Sequence, residues 1–535
     1  MAAETLRLRG LAAAPGLAAG RVARFAARAD APGETSALCS REAERAALRG
    51  AIATAACELE SLSASQPRVA AEILEFQLAL LGDEDLSSPA FAEIDGGATA
   101  SKAWRLALDR QIADYATAED DYFRARAADL IDVRDRVFGA LDEPGRPSAA
   151  LPEDAVLVAD DLPPSRFLEI DQTRLAGVAL TGGSASSHVA MLARARGVPM
   201  VVGLGDVPVV DGAFVLLDGE HGEIEIAPSA ERLADWRRRA AEEAGRRATE
   251  FRLVAAPAVT RSGRRIRTLI NIQGLSDLDS AEAGHADGVG LVRTEFLFEQ
   301  GGTLPDESAQ LDVYRRILDW SSARPVTVRT LDAGGDKPIP GVTLDGEPNP
   351  FLGVRGLRLS LRRPQLLKTQ LRALARAAVG GDLLVMLPMV TTPLELAEAR
   401  AHLDAALAEL ASEGLAARRP PLGIMVEVPA AALAIDRFDA DFYSIGSNDL
   451  VQYVTACDRG AGALTDLADP MNPAVLELIG RTVAHGRKTG ASVSLCGDMA
   501  ADPRYVPALL DLGLESLSVA PPALGRLKAA IARHE

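Results

Sequence analysis

The sequence predicts an α/β protein in two parts. A small α/β domain, interrupted by an all-helical insert, comes first, and a (β/α)8 barrel of the TIM type follows. Three observations carry this reading. From about residue 260, eight short apolar runs alternate with helical stretches to the end of the chain, as such a barrel requires. Between Ser36 and Leu141 the apolar residues fall at helical spacing, with Leu74, Leu78 and Leu81 on one face and Leu130, Val133, Val137 and Leu141 on another. On either side of that insert, strand-like runs surround a glycine turn that ends on a histidine.

The division follows in chain order. Residues 1–35 and 142–228 form the α/β domain, 36–141 the helical insert, 229–259 a charged linker helix and 260–535 the barrel. A strand or two is expected around Ala14-Pro15-Gly16. Breaks in the insert are expected at 65–67 (Ser-Gln-Pro), 87–89 (Ser-Ser-Pro) and 95–97 (Asp-Gly-Gly). Strands follow at 155–159, 177–180, 200–202 and 214–217. The barrel strands are expected at 266–270, 288–292, 326–330, 383–388, 423–428, 442–445, 492–495 and 516–519.

Bulk properties narrow the function. The 535 residues give ample core, and 48% hydrophobic with 25% charged residues suits a soluble globular protein. A net charge of −18 argues against nucleic acid and anionic membrane surfaces, and favours a basic or neutral macromolecular partner. Cys39, Cys57, Cys457 and Cys496 show no C-x-x-C spacing, which suits a reducing compartment. Arginines interrupt the apolar residues of the first segment, so no membrane insertion is expected and the protein reads as cytoplasmic.

Thr181–Pro199, TGGSASSHVAMLARARGVP, is the first candidate site. Gly182 and Gly183 allow positive φ and close approach of a ligand, and Ser186 or Ser187 can cap the helix that follows. His188 then lies in the first turn, where free N–H groups and the helix dipole favour negative charge. Imidazole there can accept a phosphoryl group. A lone histidine after a glycine turn is more often a packing residue, so the weight rests on the barrel.

Polar residues just after barrel strands point into the site. Here they are Arg293, Arg329, Lys337 in the glycine-rich loop after the third strand, Arg355 with Arg358, Glu427, Asn448, Asp449, Arg459 and Cys496. Several guanidinium groups and a lysine imply a small ligand with more than one anionic group. Glu427, Asp449 and the amide oxygen of Asn448 are hard oxygen ligands suited to Mg²⁺ shared with a phosphate. Cys496 can donate a proton to carbon. Singly, each has an ordinary explanation, such as a salt bridge or a buried filler thiol. Their coincidence at successive strand ends points to a phospho-carboxylic acid with Mg²⁺.

Along its length the chain resembles the enzyme I family of the phosphoenolpyruvate-dependent sugar phosphotransferase system. The segments AAAPGLAAG, RAADLIDVRDRV, the GG…SSH turn, VRTLDAGGDKP, NPFLGVRGLR, MVEVPAA, GSNDLVQY, DRG and CGDMA stand in that family's order. The resemblance implies a swivelling phosphohistidine domain that carries His188 between the barrel and the histidine-containing phosphocarrier protein docked on the helical insert. It implies that Arg293, Arg329 and Arg355 hold the phosphate, with Asn448 also contacting it, and that Arg459 lies on the carboxylate side. Glu427 and Asp449 would ligate Mg²⁺, Cys496 would protonate the enolate, and the barrel would mediate a homodimer. Two departures bear on the nucleophile. GGSASSH stands where the family often has GGRTSH, and Asp161–Ser165 reads DLPPS, so Pro163 replaces a threonine able to hydrogen-bond the histidine. Ser186, Ser187 or a neighbouring domain would have to compensate. A nitrogen-related regulatory paralogue is the alternative, and a dikinase or phosphoenolpyruvate synthase relative a more distant one. The first usually carries an extra N-terminal sensory domain, not expected where the family-like opening begins at about residue 8; the second carries a large ATP-binding domain, not expected where the helical insert nearly fills residues 1–150 and no Walker-type phosphate loop appears.

Overall fold

The computed structural model describes every residue except 1–4, 25–39, 65, 67, 117–120, 143–150, 186, 280, 299–303, 336–337, 345, 459–463 and 465–466. The chain divides into two compact units, Met1–Glu243 and Ala244–Glu535.

The first unit contains a mixed eight-stranded sheet: β1 (Leu6–Arg9), β2 (Leu11–Ala14), β3 (Leu17–Arg24), β4 (Ala155–Ala159), β5 (Leu175–Leu180), β6 (Met200–Val202), β7 (Phe214–Asp218) and β8 (Glu223–Ile226), in the order β1-β8-β7-β3-β4-β5-β6-β2. Three strands, rather than one or two, surround Pro15 and Gly16. β3 through β6 pair in parallel, and all five residues of β4 are buried, so both faces of the sheet are covered. The period of two divides β4 between two cores: Leu157 and Ala159 pack with the helical insert, Val156 and Val158 with β7 and β8.

Among the described residues of the insert there are five helices, at Arg41–Ala64, Arg68–Gly82, Glu84–Asp95, Ala100–Ala116 and Asp121–Asp142. Leu48, Leu59, Leu74 and Trp104 are fully buried between them. The break expected at 87–89 is absent, because the third helix runs through Pro89. It begins instead after Asp83, whose carboxylate accepts from the Asp85 N–H and fixes the start; losing one backbone hydrogen bond at Pro89 does not outweigh burial of Leu86, Ala90 and Ile94. The last helix is bolted to Pro164–Glu169 by a buried polar network. Asp132 accepts from the Ser165 hydroxyl (2.6 Å), the Ser165 N–H (2.9 Å) and Gln77 (2.9 Å). Arg136 donates to Ser165 (2.8 Å) and pairs with Glu58 and Glu169. This fixes the face of the insert that meets His188.

The second unit is a closed parallel barrel of β9 (Arg267–Ile272), β10 (Val289–Val292), β11 (Val326–Arg329), β12 (Leu383–Leu387), β13 (Leu422–Val426), β14 (Phe442–Gly446), β15 (Ser492–Cys496) and β16 (Ser516–Val519), with β16 pairing back to β9. Every expected barrel strand is present within two residues. Alternation again sorts the side chains: Leu291, Met386, Met425, Phe442 and Cys496 cluster in the lumen, while Val385, Leu387, Tyr443 and Ile445 pack outward against the helices. The charged helix Ala230–Val254 lies where the linker is expected. No helix among the described residues is long and apolar enough to cross a membrane.

Candidate active site

His188 is the first residue of the helix His188–Arg196. Ser187, not Ser186, is the cap, its hydroxyl accepting from the Ala190 N–H at 3.3 Å; Ser186 lies outside the described residues. Gly183, with φ of 82°, makes the turn that brings the chain to this start. The His188 ring is 22% exposed, and its Nδ1 lies 3.3 Å from the carboxylate of Asp129, which is fully buried on the insert helix Asp121–Asp142. A carboxylate oxygen accepts, so this pairing is served by the tautomer with the imidazole proton on Nδ1 and the lone pair on Nε2. Pro163 offers no hydroxyl, as its sequence dictates, and the contact comes from the insert instead. No sequence pattern flags Asp129, because its partner lies 59 residues away.

At the C-terminal ends of the barrel strands, acids and bases interlock. Arg329 ends β11 and is 5% exposed; it pairs with Glu295 (3.0 Å) and Asp332 (2.9 Å). Arg355 grips Asp332 (2.9 Å), reaches both oxygens of Asp449 at 3.4 Å and donates to the Tyr453 hydroxyl at 3.2 Å. Burial works against both guanidinium charges, but for Arg329 the fields of Glu295 and Asp332, and for Arg355 those of Asp332 and Asp449, overcome it and hold the pKa values above normal. Glu427 follows β13 directly, one residue beyond the observed strand end, and is 1% exposed. Burial, then the nearby charges of Asp449 and Asp332, push its carboxyl up to about 8. It accepts a 2.6 Å hydrogen bond from the Met389 N–H, and Met389 holds φ at 57°, an unusual backbone state of the kind that clusters at functional sites. Two glycines make room. A Cβ on Gly446 would lie 2.8 Å from Glu427 Oε2, and one on Gly334 (φ 110°) 2.7 Å from the Arg355 Cβ.

Cys496, the last residue of β15, is 3% exposed in the lumen, and burial pushes its thiol pKa up, so it remains a proton donor at neutral pH. Arg293 sits after β10 with a buried, unpartnered Nε. Asn448 departs from the expected ligand geometry: its amide is taken up by Asp498, accepting from that N–H at 2.9 Å and donating to the carboxylate at 3.1 Å. Arg358 anchors to Thr391. Lys337 and Arg459 lie outside the described residues. Glu295, Asp332 and Tyr453 have no assigned role in the sequence reading, yet they orient the arginines. The spacing of Glu295 and Asp332, two and three residues after Arg293 and Arg329, is a local signal; Tyr453 lies 98 positions from Arg355 and has none.

Among the described residues, no group of three or more His, Cys, Asp or Glu side chains is positioned to hold a metal by itself. Two buried carboxylates at the mouth, Glu427 and Asp449, nevertheless fit a hard divalent cation whose other ligands come from phosphate and water. A cation there would also offset the burial, and the nearby charges of Asp449 and Asp332, that raise the Glu427 pKa.

Residues 247–535 match the PEP-utilising enzyme, PEP-binding domain family, residues 9–126 its N-terminal domain and residues 151–222 its mobile domain. A phosphoenolpyruvate-protein phosphotransferase of Geobacillus stearothermophilus is 37% identical over 97% of this chain and 93% of its own. One from Streptomyces coelicolor is 38% identical over 98% and 93%. One from Haloferax volcanii is 42% identical over 77% and 73%.

Proposed function

We propose a reaction on a plain premise: the chain belongs to the phosphoenolpyruvate-protein phosphotransferase family of phosphoenolpyruvate-utilising enzymes. The protein takes the phosphoryl group of phosphoenolpyruvate onto His188 and passes it to the histidine of a phosphocarrier protein. The observation that carries this is the buried ion-pair lattice of Arg329, Arg355, Asp332 and Asp449, with Glu427 buried beside it, at one end of a closed barrel, which fixes the guanidinium forks in place as phosphate binding requires.

In this reading Arg293, Arg329 and Arg355 bind the phosphate, Asn448 contacts it from the rim, Lys337 adds positive charge, and Arg459 takes the carboxylate. Glu427 and Asp449 would hold Mg²⁺, which would supply charge neutralisation for the phosphoryl group. His188 Nε2 attacks phosphorus while Asp129 holds Nδ1–H; the P–O bond to the enolate breaks, and Cys496 gives its proton to the enolate carbon to yield pyruvate. The domain division at 1–35 with 142–228, 36–141, 229–259 and 260–535 serves this cycle: the histidine is carried by the mobile α/β part, and the phosphocarrier docks on the helices. A cytoplasmic homodimer built through the barrel completes the proposal.

The test is incubation with labelled phosphoenolpyruvate and Mg²⁺, and in parallel with labelled ATP. An acid-labile, base-stable phosphoprotein from the first alone, lost in His188→Ala while Mg²⁺-dependent phosphoenolpyruvate binding persists, is the expected result. Labelling by ATP, or of the His188→Ala protein, would refute it.

A further inference from the structure

The lumen beneath Cys496 is not filled by apolar side chains alone. β14 and β15 run in parallel with Ser444 opposite Ser494 and Gly446 opposite Cys496. By the strand period of two, Ser494 and Cys496 face the same side of β15, and Ser444 lies beside them on β14. Ser494 Oγ donates to Ser444 Oγ at 3.0 Å, Ser444 Oγ lies 3.4 Å from Cys496 Sγ, and the thiol is within 3.7 Å of the Ile445 carbonyl. A polarity consistent with these contacts runs from Ser494 to Ser444 to sulfur. With Ser494 donating to Ser444, the Ser444 proton is free to point at sulfur. The thiol proton is then the one that leaves. Cys496 and Ser444 are buried, whereas Ser494, nearer the N-terminal end of its strand, keeps partial exposure.

We infer that Ser444 and Ser494 form a hydroxyl relay that orients the Cys496 thiol and returns a proton to its sulfur from the barrel end opposite the substrate. The inference rests on the reaction proposed above. In the forward direction the S–H bond of Cys496 breaks and its proton forms a C–H bond on the enolate, leaving a thiolate. Ser444 then gives its proton to sulfur and takes one from Ser494, and a water protonates Ser494 and leaves as hydroxide to bulk solvent. No redox change occurs and each hydroxyl ends as it began. A buried thiolate without such a supply would be costly, since isolated charge in the interior is strongly disfavoured. Ser444 and Ser494 are positioning residues, acting on the substrate only through Cys496.

Deuterium exchange into the methyl group of pyruvate, followed by NMR with the full-length protein and Mg²⁺ in heavy water, reads this step apart from phosphoryl transfer. Ser444→Ala is expected to slow exchange about tenfold to a hundredfold, the lower part of the range for a positioned proton-transfer group. It should slow His188 phosphorylation in a single turnover much less. Ser494→Ala should give a smaller loss in the same sense, and Ser444→Thr, which keeps a hydroxyl, should recover most of the exchange. The wild-type rate in mixed light and heavy water should curve, as for several protons in motion, and become linear in Ser444→Ala. Wild-type exchange in both alanine variants, or equal loss of exchange and phosphorylation in both, would overturn the relay. Unchanged exchange in Cys496→Ala would instead remove Cys496 from its proposed role.

Discussion

Replacing Asp129 by Asn tests the link between the helical insert and His188, the nucleophile of the proposed reaction. The native contact is 3.3 Å from Asp129 Oδ1 to His188 Nδ1, on a ring that is 22% exposed. A hydrogen bond to a charged group contributes about 1.5–3 kcal/mol, and this one is long and partly solvated, so the lower figure applies. About 1.5 kcal/mol is roughly a tenfold loss in rate if the contact is kept into the transition state. Asn is isosteric, but its NH₂ can turn toward Nδ1 and drive the proton to Nε2, which removes the attacking lone pair. The expected outcome is therefore a tenfold or greater fall in the single-turnover rate of His188 phosphorylation, measured by rapid quench. Phosphoenolpyruvate affinity of the barrel and thermal unfolding should be little changed. ¹⁵N shifts of the imidazole should move from the Nδ1–H toward the Nε2–H tautomer. A variant with the wild-type rate and the Nδ1–H tautomer would show that Asp129 does not orient the ring.

Three further outcomes follow from the barrel. Asp332→Ala leaves Arg329 and Arg355 without their shared buried partner and should destabilise the second unit by about 3–5 kcal/mol in urea unfolding, with phosphoenolpyruvate affinity falling as well. Because the Glu427 carboxyl is raised to about 8 from an ordinary 4.5, the metal-free fold favours its neutral form. Its contribution to stability is full below pH 4.5 and is lost as pH rises through 8. In the proposed reaction Mg²⁺ takes the place of that proton, so its affinity should rise about tenfold per unit as pH approaches 8, with proton release seen by calorimetry in buffers of different ionisation heat. Gly446→Ala puts a methyl group 2.8 Å from Glu427 Oε2 and 3.0 Å from Met425, so Mg²⁺-dependent binding should weaken at least as much as in Glu427→Gln; unchanged binding would mean that Glu427 has room to move.

The sequence by itself determined what depends on neighbours along the chain. Short apolar runs alternating with helical stretches marked each barrel strand, since a parallel sheet covered on both faces excludes water from both, and Ser186 or Ser187 announced a helix start beside His188 through capping chemistry alone. The misread break at Ser87–Pro89 shows the limit of local rules, because proline's cost is weighed against burial that only the packed helices supply. Only the tertiary structure decided which charges meet. Arg355 reaches Asp449 across 94 positions, His188 meets Asp129 across 59 and Ser444 touches Cys496 across 52. Barrel closure and docking of the insert bring these groups together, and electrostatic pairing depends on distance in space, which no spacing along the chain encodes.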